Sequence, residues 1–285
     1  VVPKEGIPYF AVTALGVHAL GITGFNEKGL TLAVHQLHLR DVRADGVPVA
    51  IVSNEILRTA SSIDEAFEVI KNYNRAGSWA FVLTQGHDKA VVETSAERTE
   101  IRRSSASYFF QTNHVLTPVM QLSEFDITSG TALETRARFY YLNSFTDQVQ
   151  KQNAKVEKLL SVLSSAPVAR PDNIQRLVLA PKQKKLWIKD FDTDAYWEVS
   201  FKKEFPSFVR YGFSEPEAPS WQQDFRQAWA EMKNNCEPPK LTSILASIEE
   251  WISKNPTAGY DQARLHFTKG CLLSILGQRA ASHYA

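Results

Sequence analysis

Alternating apolar and polar positions give the first structural signal along the chain. Residues 10–24 alternate β-branched and small side chains, and a second apolar run occupies residues 30–34. The turn sequence Asn-Glu-Lys-Gly at 26–29 lies between the two runs, with glycine at the position that a tight turn favours. Two apolar runs around such a turn predict a β-hairpin.

The periodicity becomes helical after Pro48. Apolar residues then recur at helical spacing, and Ser62 followed by Glu65 has the spacing of a capping box, which predicts the start of a second helix. Beyond this helix pair, short apolar runs separated by turn residues predict an antiparallel meander. Its expected strands are 79–84, 90–95, 99–102 and 108–112.

The second half of the chain repeats this order. The predicted helices are 131–147 and 153–164, and the strands that follow are 176–180, 185–189 and 196–201. Strands and helix pairs in separate blocks indicate an α+β fold, because a parallel α/β fold alternates the two kinds of element. Two antiparallel sheets stacked between helix layers would satisfy this order.

A predicted linker at 213–220 contains two prolines, and the strand patterns stop after it. We therefore expect a boundary near Gly212, with one domain at 1–212 and a linker with a helical tail at 213–285. Helical patterns in this tail occupy 220–234, 241–253 and 258–285.

The end of the tail has a pattern of its own. Residues 263–278 are similar to the first helix and turn of a tetratricopeptide repeat, because small residues lie among large apolar ones and a glycine closes the helix. A plain amphipathic helix that packs on the rest of the chain is an equally supported alternative. If further repeats follow Ala285, they would offer a surface to a protein partner.

Composition narrows the class of protein. The 285 residues are 44% hydrophobic and 22% charged, which is typical of a soluble globular protein. The formal net charge of +1 provides no basic field for nucleic acid or an anionic membrane. No apolar stretch approaches the ~20 residues of a membrane span. We expect a soluble protein, with a cytoplasmic location slightly favoured.

Metal and nucleotide chemistry have no signature in the sequence. The two cysteines, Cys236 and Cys271, are far apart, and the cysteines and histidines show no metal-ligand spacing. No glycine-rich phosphate loop occurs, so we expect neither a metal nor a nucleotide cofactor. The chain begins at Val1 without the features of a signal peptide and stops inside a helical pattern. We therefore expect it to be a processed or truncated part of a longer chain.

Three short sequences resemble one enzyme family. They are Gly-Phe-Asn-Glu-Lys-Gly-Leu at 24–30, Val-Val-Glu-Thr-Ser at 91–95 and Gln-Thr-Asn-His at 111–114. In this order, with the helix pair between the first two, they resemble the acyl-coenzyme A:6-aminopenicillanic-acid acyltransferases. The relatives of that family are the choloylglycine hydrolases and penicillin V acylases, and the resemblance spans about residues 1–205.

The resemblance implies a four-layer αββα N-terminal-nucleophile hydrolase fold and a covalent mechanism. In this branch the nucleophile is a cysteine that becomes the first residue of the chain by autoproteolysis or another exposure step. Its α-amino group, with a pKa near 8, acts as the base, and the thiolate forms an acyl-enzyme with an amide or thioester. Val1 cannot be a nucleophile, so we expect the cysteine to precede it; Cys236 and Cys271 lie outside the resemblance.

The resemblance also nominates site residues. Asn113, expected at the end of a strand, would donate to the oxyanion, and a cation at Arg176, or alternatively Arg170, would favour the thiolate. His35 and Gln36 lie on the strand where relatives often carry an asparagine at the acyl site. Because neighbours on a strand alternate, one of the two is expected to face that site.

His114 is grouped with the substrate-site residues, mainly as a side chain that holds a neighbouring loop. A general-base role for His114 is the lesser alternative, because the resemblance assigns that role to the amino terminus.

The leading functional hypothesis is acyl transfer or amidohydrolysis on a small-molecule amide or acyl thioester, without a cofactor. Coenzyme A could be a substrate in the acyltransferase case. The alternative is a catalytically silent αββα domain that binds an acyl or peptide ligand and uses its helical tail for protein contacts. A cysteine with a free amino terminus in the upstream sequence would favour the enzyme.

Overall fold

The computed structural model describes residues 1–13, 21–125, 129–149, 155–165, 167–169, 175–190, 195–201, 206–212 and 238–254, together with 266, 269, 270 and 273. The chain divides into two compact units. Unit 1 comprises Val1–Phe125, Leu177–Trp187 and Trp197–Val209, and unit 2 comprises Asp126–Arg176, Ile188–Tyr196 and Arg210–Ala285. The boundary near Gly212 stays a prediction, since the linker expected at 213–220 lies outside the described residues.

The strands of the described residues form two sheets, and the strand order within each sheet follows the chain. Sheet I contains β1 Tyr9–Val12, β2 Thr23–Asn26, β3 Thr31–Gln36, β4 Trp79–Gln85, β5 Asp88–Thr94 and β6 Thr99–Ser104. Sheet II contains β7 Gln175–Ala180, β8 Lys185–Asp190, β9 Ala195–Phe201 and β10 Pro206–Gly212.

The helices follow β3, β6 and β10 along the chain. They are α1 Val49–Thr59, α2 Ile63–Asn72, α3 Pro118–Gln121, α4 Ser129–Val149, α5 Val156–Ser164 and α6 Pro238–Lys254, with a short 3₁₀ helix at Pro181–Gln183. This mixture of helices with antiparallel strands confirms the α+β class.

The hairpin predicted around residues 26–29 is present between β2 and β3. Phe25 pairs with Thr31 in antiparallel register. Gly29 in the turn has a φ of 79°, a left-handed value that glycine adopts without the steric cost of a side chain. Residues 26–29 therefore form the hairpin turn that the sequence pattern predicted.

The predicted meander is present for β4, β5 and β6, which pair antiparallel in order. The strand expected at 108–112 is wrong, because β6 ends at Ser104 and residues 105–117 have no regular structure. Phe109 packs onto sheet I, while Tyr108 and Phe110 stack on each other with ring centroids 5.8 Å apart. The main chain of these aromatic residues does not join the ladder of sheet I.

One face of sheet I packs against α1 and α2. Large apolar side chains from the sheet and from both helices are fully buried in this core: Leu30, Leu32, Val52, Ile56, Leu57, Ile70, Phe81, Leu83 and Val92. Full burial of one such side chain contributes roughly 1.5–3 kcal/mol, so this layer fixes the helix pair on the sheet.

Ser62 begins α2 as the capping-box spacing predicted. Its side-chain oxygen accepts a hydrogen bond of 3.1 Å from the main-chain N–H of Glu65. The carboxylate of Glu65 accepts in return from the main-chain N–H of Ser61 at 2.7 Å, one residue earlier than the usual capping box. This bond from Ser61 holds the pKa of Glu65 below its usual range.

The opposite face of sheet I is covered by the chain that follows β6. A second apolar cluster joins the sheet and the residues after β3 to this covering segment: Leu37, Leu39, Ala80, Val91, Val115 and Met120. The segment from 105 to 125 therefore lies on the sheet face that is turned away from α1 and α2.

Arg75 ties the end of α2 to the turn between β5 and β6. Its guanidinium donates to the carbonyl oxygens of Ile70 at 2.6 Å and Tyr73 at 3.1 Å, and to those of Ser95 at 3.1 Å and Arg98 at 3.3 Å. Burial lowers the pKa of Arg75 from its usual value. These bonds hold the turn that joins β5 and β6.

Sheet II contributes contacts within each unit. In unit 1, Phe201 on β9 packs against Phe10 and Phe25 of sheet I, with ring centroids 4.3 and 5.6 Å apart. In unit 2, the hydroxyl of Tyr196 on β9 donates to the carboxylate of Glu157 on α5 at 2.8 Å.

Candidate active site

Asn113 lies in the irregular segment that covers sheet I, and not at the end of a strand as the sequence predicted. Its side chain is half-buried, and its amide nitrogen donates to the main-chain oxygen of Gln36 at 3.0 Å. Gln36 is the last residue of β3. Asn113 is therefore placed at the end of β3 that is remote from the Asn-Glu-Lys-Gly turn.

Side chains fix the main chain around Asn113 where a β-ladder would otherwise do so. The amide nitrogen of Gln111 donates to the carbonyl oxygens of Thr112 at 3.0 Å and His114 at 2.9 Å. Glu124 accepts from the N–H of Val115 at 2.8 Å. Buried main-chain groups need such partners, so an irregular loop can be held in one conformation.

Glu93 holds the next part of the same loop from inside sheet I. Its carboxylate is fully buried and accepts from the N–H of Leu116 at 2.9 Å and of Thr117 at 2.8 Å. Arg102 lies 3.5 Å from the same carboxylate, which balances its charge. Glu93 is thus the central anchor of the loop that follows Asn113.

Arg102 connects this anchor to Gln111. Its guanidinium donates to the side-chain oxygen of Gln111 at 2.6 Å and lies over the ring of Phe109, 5.0 Å from the centroid. Burial lowers the pKa of Arg102 from its usual value, while Glu93 opposes this shift. The side chains of Glu93, Arg102 and Gln111 form a continuous polar network beneath Asn113.

The register of sheet I places His35 on the face that carries this network. His35 pairs with Ala80, and Ala80 pairs with Glu93, so the three lie in one row across β3, β4 and β5. Directly paired residues share a face of the sheet. Gln36 points to the other face and its side chain is exposed, and it is the main-chain oxygen of Gln36 that accepts from Asn113. His35 therefore shares a sheet face with the loop of Asn113.

His114 is buried and contacts its own loop. Its Nδ1 lies 3.0 Å from the hydroxyl of Thr112, and its main-chain oxygen is one of the two that Gln111 holds. These contacts agree with the expectation that His114 holds a loop. They place its imidazole in the interior of the segment.

Arg176 is buried on β7, at 4% exposure, which excludes the interpretation of a solvated arginine. It belongs to unit 2, whereas Asn113 belongs to unit 1. The alternative cation, Arg170, lies outside the described residues. The assignment of either arginine to the nucleophile stays a prediction.

The Gly-Phe-Asn-Glu-Lys-Gly-Leu sequence shapes the hairpin and its contact with α1. Gly24 lies so close to β1 that a Cβ atom there would overlap the carbonyl oxygen of Phe10. The side-chain amide of Asn26 donates to the carbonyl oxygens of Leu57 at 3.1 Å and Ala60 at 2.7 Å, at the end of α1. The role of this sequence is structural, as expected for Asn26.

Sequence reasoning did not assign a role to Glu93 or Arg102. The available signal was a carboxylate in the middle of an apolar strand, in Val91-Val92-Glu93, because a buried acid requires hydrogen-bond partners. Nothing in the local sequence indicated that those partners would be main-chain groups more than 20 residues away.

The groove between α1 and α2 is separate from this site. It has a volume of about 580 Å³ and is lined in part by Glu55, Asp64, Glu65 and Glu68. Because the two helices cover the other face of sheet I, this groove lies across the sheet from the loop of Asn113.

Among the described helices, none has the length and apolar character needed to cross a membrane. Within the same described ranges, no three His, Cys, Asp or Glu side chains are grouped so as to hold a metal ion.

Comparison with solved structures finds conjugated bile acid hydrolase from Clostridium perfringens. An arginine-to-leucine variant is 13% identical, with 73% of this chain and 81% of that chain covered and a TM-score of 0.41. A cysteine-to-alanine mutant is 12% identical, with 72% and 80% covered and a TM-score of 0.41. A search of curated proteins found no match.

A family model gives the decisive comparison. The model of acyl-coenzyme A:6-aminopenicillanic acid acyl-transferase matches residues 1–188, which include sheet I, the helix pair and the whole loop of Asn113. This match covers more than half of the chain. The chain therefore belongs to the acyl-coenzyme A:6-aminopenicillanic acid acyl-transferase family.

Proposed function

We propose that this chain carries the oxyanion-binding side of an N-terminal-nucleophile enzyme that transfers an acyl group from an amide or thioester to water or an amine. Family membership over residues 1–188 supports an enzyme of acyl transfer. The single observation that carries the residue assignment is the amide of Asn113, fixed at the end of β3 by the carbonyl oxygen of Gln36 at 3.0 Å.

The geometry of Asn113 suits an oxyanion donor. The side-chain amide of Asn113 has two N–H groups, and the bond to Gln36 restricts how this amide can rotate. An N–H held in a fixed direction can stabilise charge that develops on a carbonyl oxygen without reorganising during the reaction. One such donor contributes about 3 kcal/mol to the stabilisation of the transition state.

The nucleophile in this proposal is a cysteine on residues that precede Val1. Its thiol proton passes to its own α-amino group, and the thiolate adds to the substrate carbonyl to form a tetrahedral intermediate. The intermediate collapses to the acyl-enzyme as the leaving amine or thiol takes a proton from the ammonium group. Water or an amine then attacks the acyl-enzyme and releases the acyl product and the thiol.

The remaining site residues have proposed roles in the same reaction. The sheet face of His35 supports a place beside the acyl group, and Gln36 and His114 complete the proposed substrate side by holding Asn113 and its loop. The buried cation of Arg176 would favour the thiolate electrostatically.

The wider arrangement is part of the same proposal. We propose the four-layer αββα arrangement for the catalytic domain, a tetratricopeptide-like tail that contacts a protein partner, and a cytoplasmic location. The packing of α1 and α2 on sheet I supports the outer helix layer on one side.

The first test is Asn113→Ala in the full-length chain, with its upstream segment, assayed for acyl release from an amide or thioester. We expect kcat to fall about a hundredfold or more, because an oxyanion donor acts in the transition state. Asn74→Ala is the matched control, since Asn74 is exposed and its side-chain oxygen accepts a hydrogen bond from Arg43 on the surface. An unchanged kcat for Asn113→Ala would remove Asn113 from the mechanism.

A further inference from the structure

We propose that Gln111 is a positioning residue for Asn113, held in one orientation by Arg102 and Glu93. This inference rests on the proposed acyl-transfer function. The inference goes beyond that function because it gives the buried network of Glu93, Arg102 and Gln111 a task, the alignment of the oxyanion donor.

The orientation of Gln111 follows from hydrogen-bond chemistry. A guanidinium group has donors only, so Arg102 can pair only with the side-chain oxygen of Gln111, at 2.6 Å. The amide nitrogen of Gln111 must then face the loop, where the carbonyl oxygens of Thr112 and His114 accept at 3.0 and 2.9 Å. These two carbonyl groups belong to the residues on either side of Asn113, so Gln111 clamps the backbone around it.

Arg102 is itself held on two sides. The carboxylate of Glu93 lies 3.5 Å from the guanidinium, and the ring of Phe109 lies beneath it. The same carboxylate binds the N–H groups of Leu116 and Thr117. One buried acid therefore fixes the loop directly after Asn113 and, through Arg102, the clamp around Asn113.

Alignment of this kind affects the rate more than the binding of substrate. Catalytic groups must lie within about 0.5 Å of their productive position, and a displacement of about 1 Å can lower the rate about a hundredfold. Loss of the clamp would leave Asn113 present but able to move. We therefore expect kcat to fall while KM changes little.

The decisive variant is Gln111→Glu in the full-length chain. Glutamate has the shape of glutamine and can still accept from Arg102, but its carboxylate cannot donate to Thr112 or His114. We expect kcat to fall about 10- to 100-fold and KM to change less than about threefold. Here kcat is counted per nucleophile, and the nucleophile is titrated by the burst of leaving amine or thiol that accompanies formation of the acyl-enzyme. Counting per titrated site removes the effect of any misfolded fraction.

Gln85→Glu is the matched control. The amide nitrogen of Gln85 also donates to two carbonyl oxygens, those of Lys28 at 3.2 Å and Ser61 at 2.6 Å. Gln85 lies six residues along β4 from Trp79, the partner of Gln36, which is about 20 Å along the strand. We expect its kcat per titrated site to stay within about twofold of the wild type, because the same chemical change is made far from Asn113.

A double mutant separates positioning from general destabilisation. If Gln111 acts through Asn113, adding Gln111→Glu to Asn113→Ala lowers kcat less than about twofold further, since the group that it positions is already absent. If Gln111→Glu lowers kcat by the same factor in the wild type and in Asn113→Ala, the proposal is overturned. An unchanged kcat for Gln111→Glu alone would overturn it as well. If Gln111→Glu does not fold, Gln111→Met carries the same test with the same outcomes.

The design also separates this inference from the proposed function. If Asn113→Ala keeps its kcat, the oxyanion assignment fails, and the positioning role fails with it. If Asn113→Ala loses activity but neither Gln111 variant does, only the positioning role fails.

Discussion

Asn26 and Asn113 use the same side chain in two different ways. Asn26 is fully buried, and its amide donates to the carbonyl oxygens of Leu57 and Ala60, while its oxygen accepts from the N–H groups of Lys28 and Leu30. All of its hydrogen-bonding capacity is therefore used to join the hairpin to α1. Asn113 is half-buried, and its amide nitrogen donates to the main-chain oxygen of Gln36 at the end of β3.

The role of Asn26 gives a stability prediction. Asn26→Ala leaves two buried carbonyl groups and two N–H groups without their partner, so we expect it to lower the free energy of unfolding by about 2–4 kcal/mol. Asn143→Ala is the control, because Asn143 is exposed and donates to the carbonyl oxygen of Phe139 within α4. Chemical denaturation of both variants would measure the difference, and equal effects would contradict the structural role of Asn26.

Glu198 gives a prediction about pH. Hydrogen bonds from Lys185 at 2.6 Å and Trp187 at 3.0 Å hold the pKa of Glu198 below its usual range in the folded state. Its contribution to stability is therefore present above the pKa of the unfolded chain and is lost as pH falls through the lower folded value. We expect wild type to exceed Glu198→Gln in thermal stability at pH 7, and the gap to close below about pH 4. A gap that stayed constant from pH 7 to pH 3 would show that the charge of Glu198 does not contribute.

At the level of elements, the turns and caps were predictable and the site loop was not. The hairpin turn and the Ser62 cap depend on residues close in sequence, which a pattern can show. The first part of the loop of Asn113, residues 108–112, was predicted as a strand because it is a short apolar run in a series of such runs separated by turn residues. The conformation of this loop depends on Glu93 and Arg102. Their partners in the loop lie 9 to 24 residues further along the chain, so these contacts leave no local pattern in the sequence.

The two glycines of the hairpin, Gly24 in β2 and Gly29 in the turn after it, occupy their positions for different reasons. A Cβ atom at Gly24 would overlap the carbonyl oxygen of Phe10, whereas one at Gly29 would meet nothing within 4 Å. Gly29 instead has a φ of 79°, which costs a residue with a side chain about 1 kcal/mol. We expect Gly24→Ala to lower the melting temperature well beyond Gly29→Ala, because it must separate β1 from β2. Equal shifts would indicate that β1 moves away easily.

At the level of the whole molecule, the block order of strands and helices predicted the α+β class, and the three short sequences predicted the family. The sequence could not place the site residues together, because that depends on sheet register and on contacts between distant segments. The pairing of β3 with β4 determines which face of the sheet His35 occupies. The loop on that sheet places Asn113 at the main-chain oxygen of Gln36. The tail cysteines, Cys236 and Cys271, lie outside the described residues.

The proposed nucleophile gives a prediction for the whole chain. We expect this 285-residue chain to show no acyl release and a chain extended by its upstream segment to show it. Changing Cys236 and Cys271 to serine in both should alter neither result, because neither is proposed to act. Turnover by the 285-residue chain that disappears with the serine changes would refute the N-terminal-nucleophile mechanism and assign the chemistry to the tail. A full-length chain without turnover would favour the silent ligand-binding domain.

The pairing of neighbouring strands in sheet I has a consequence for how the protein is made. The turn between β4 and β5 contains two residues and that between β5 and β6 contains four, so these pairings close short loops, which form quickly and at little entropic cost. Glu93 and Arg102 lie on these strands, and the loop that they hold follows directly. At about 5–20 residues per second, the ribosome reaches the end of this loop, residue 125, about 6–25 seconds after Val1. We expect the support for Asn113 to assemble after that point, while the second half of the chain is still being synthesised.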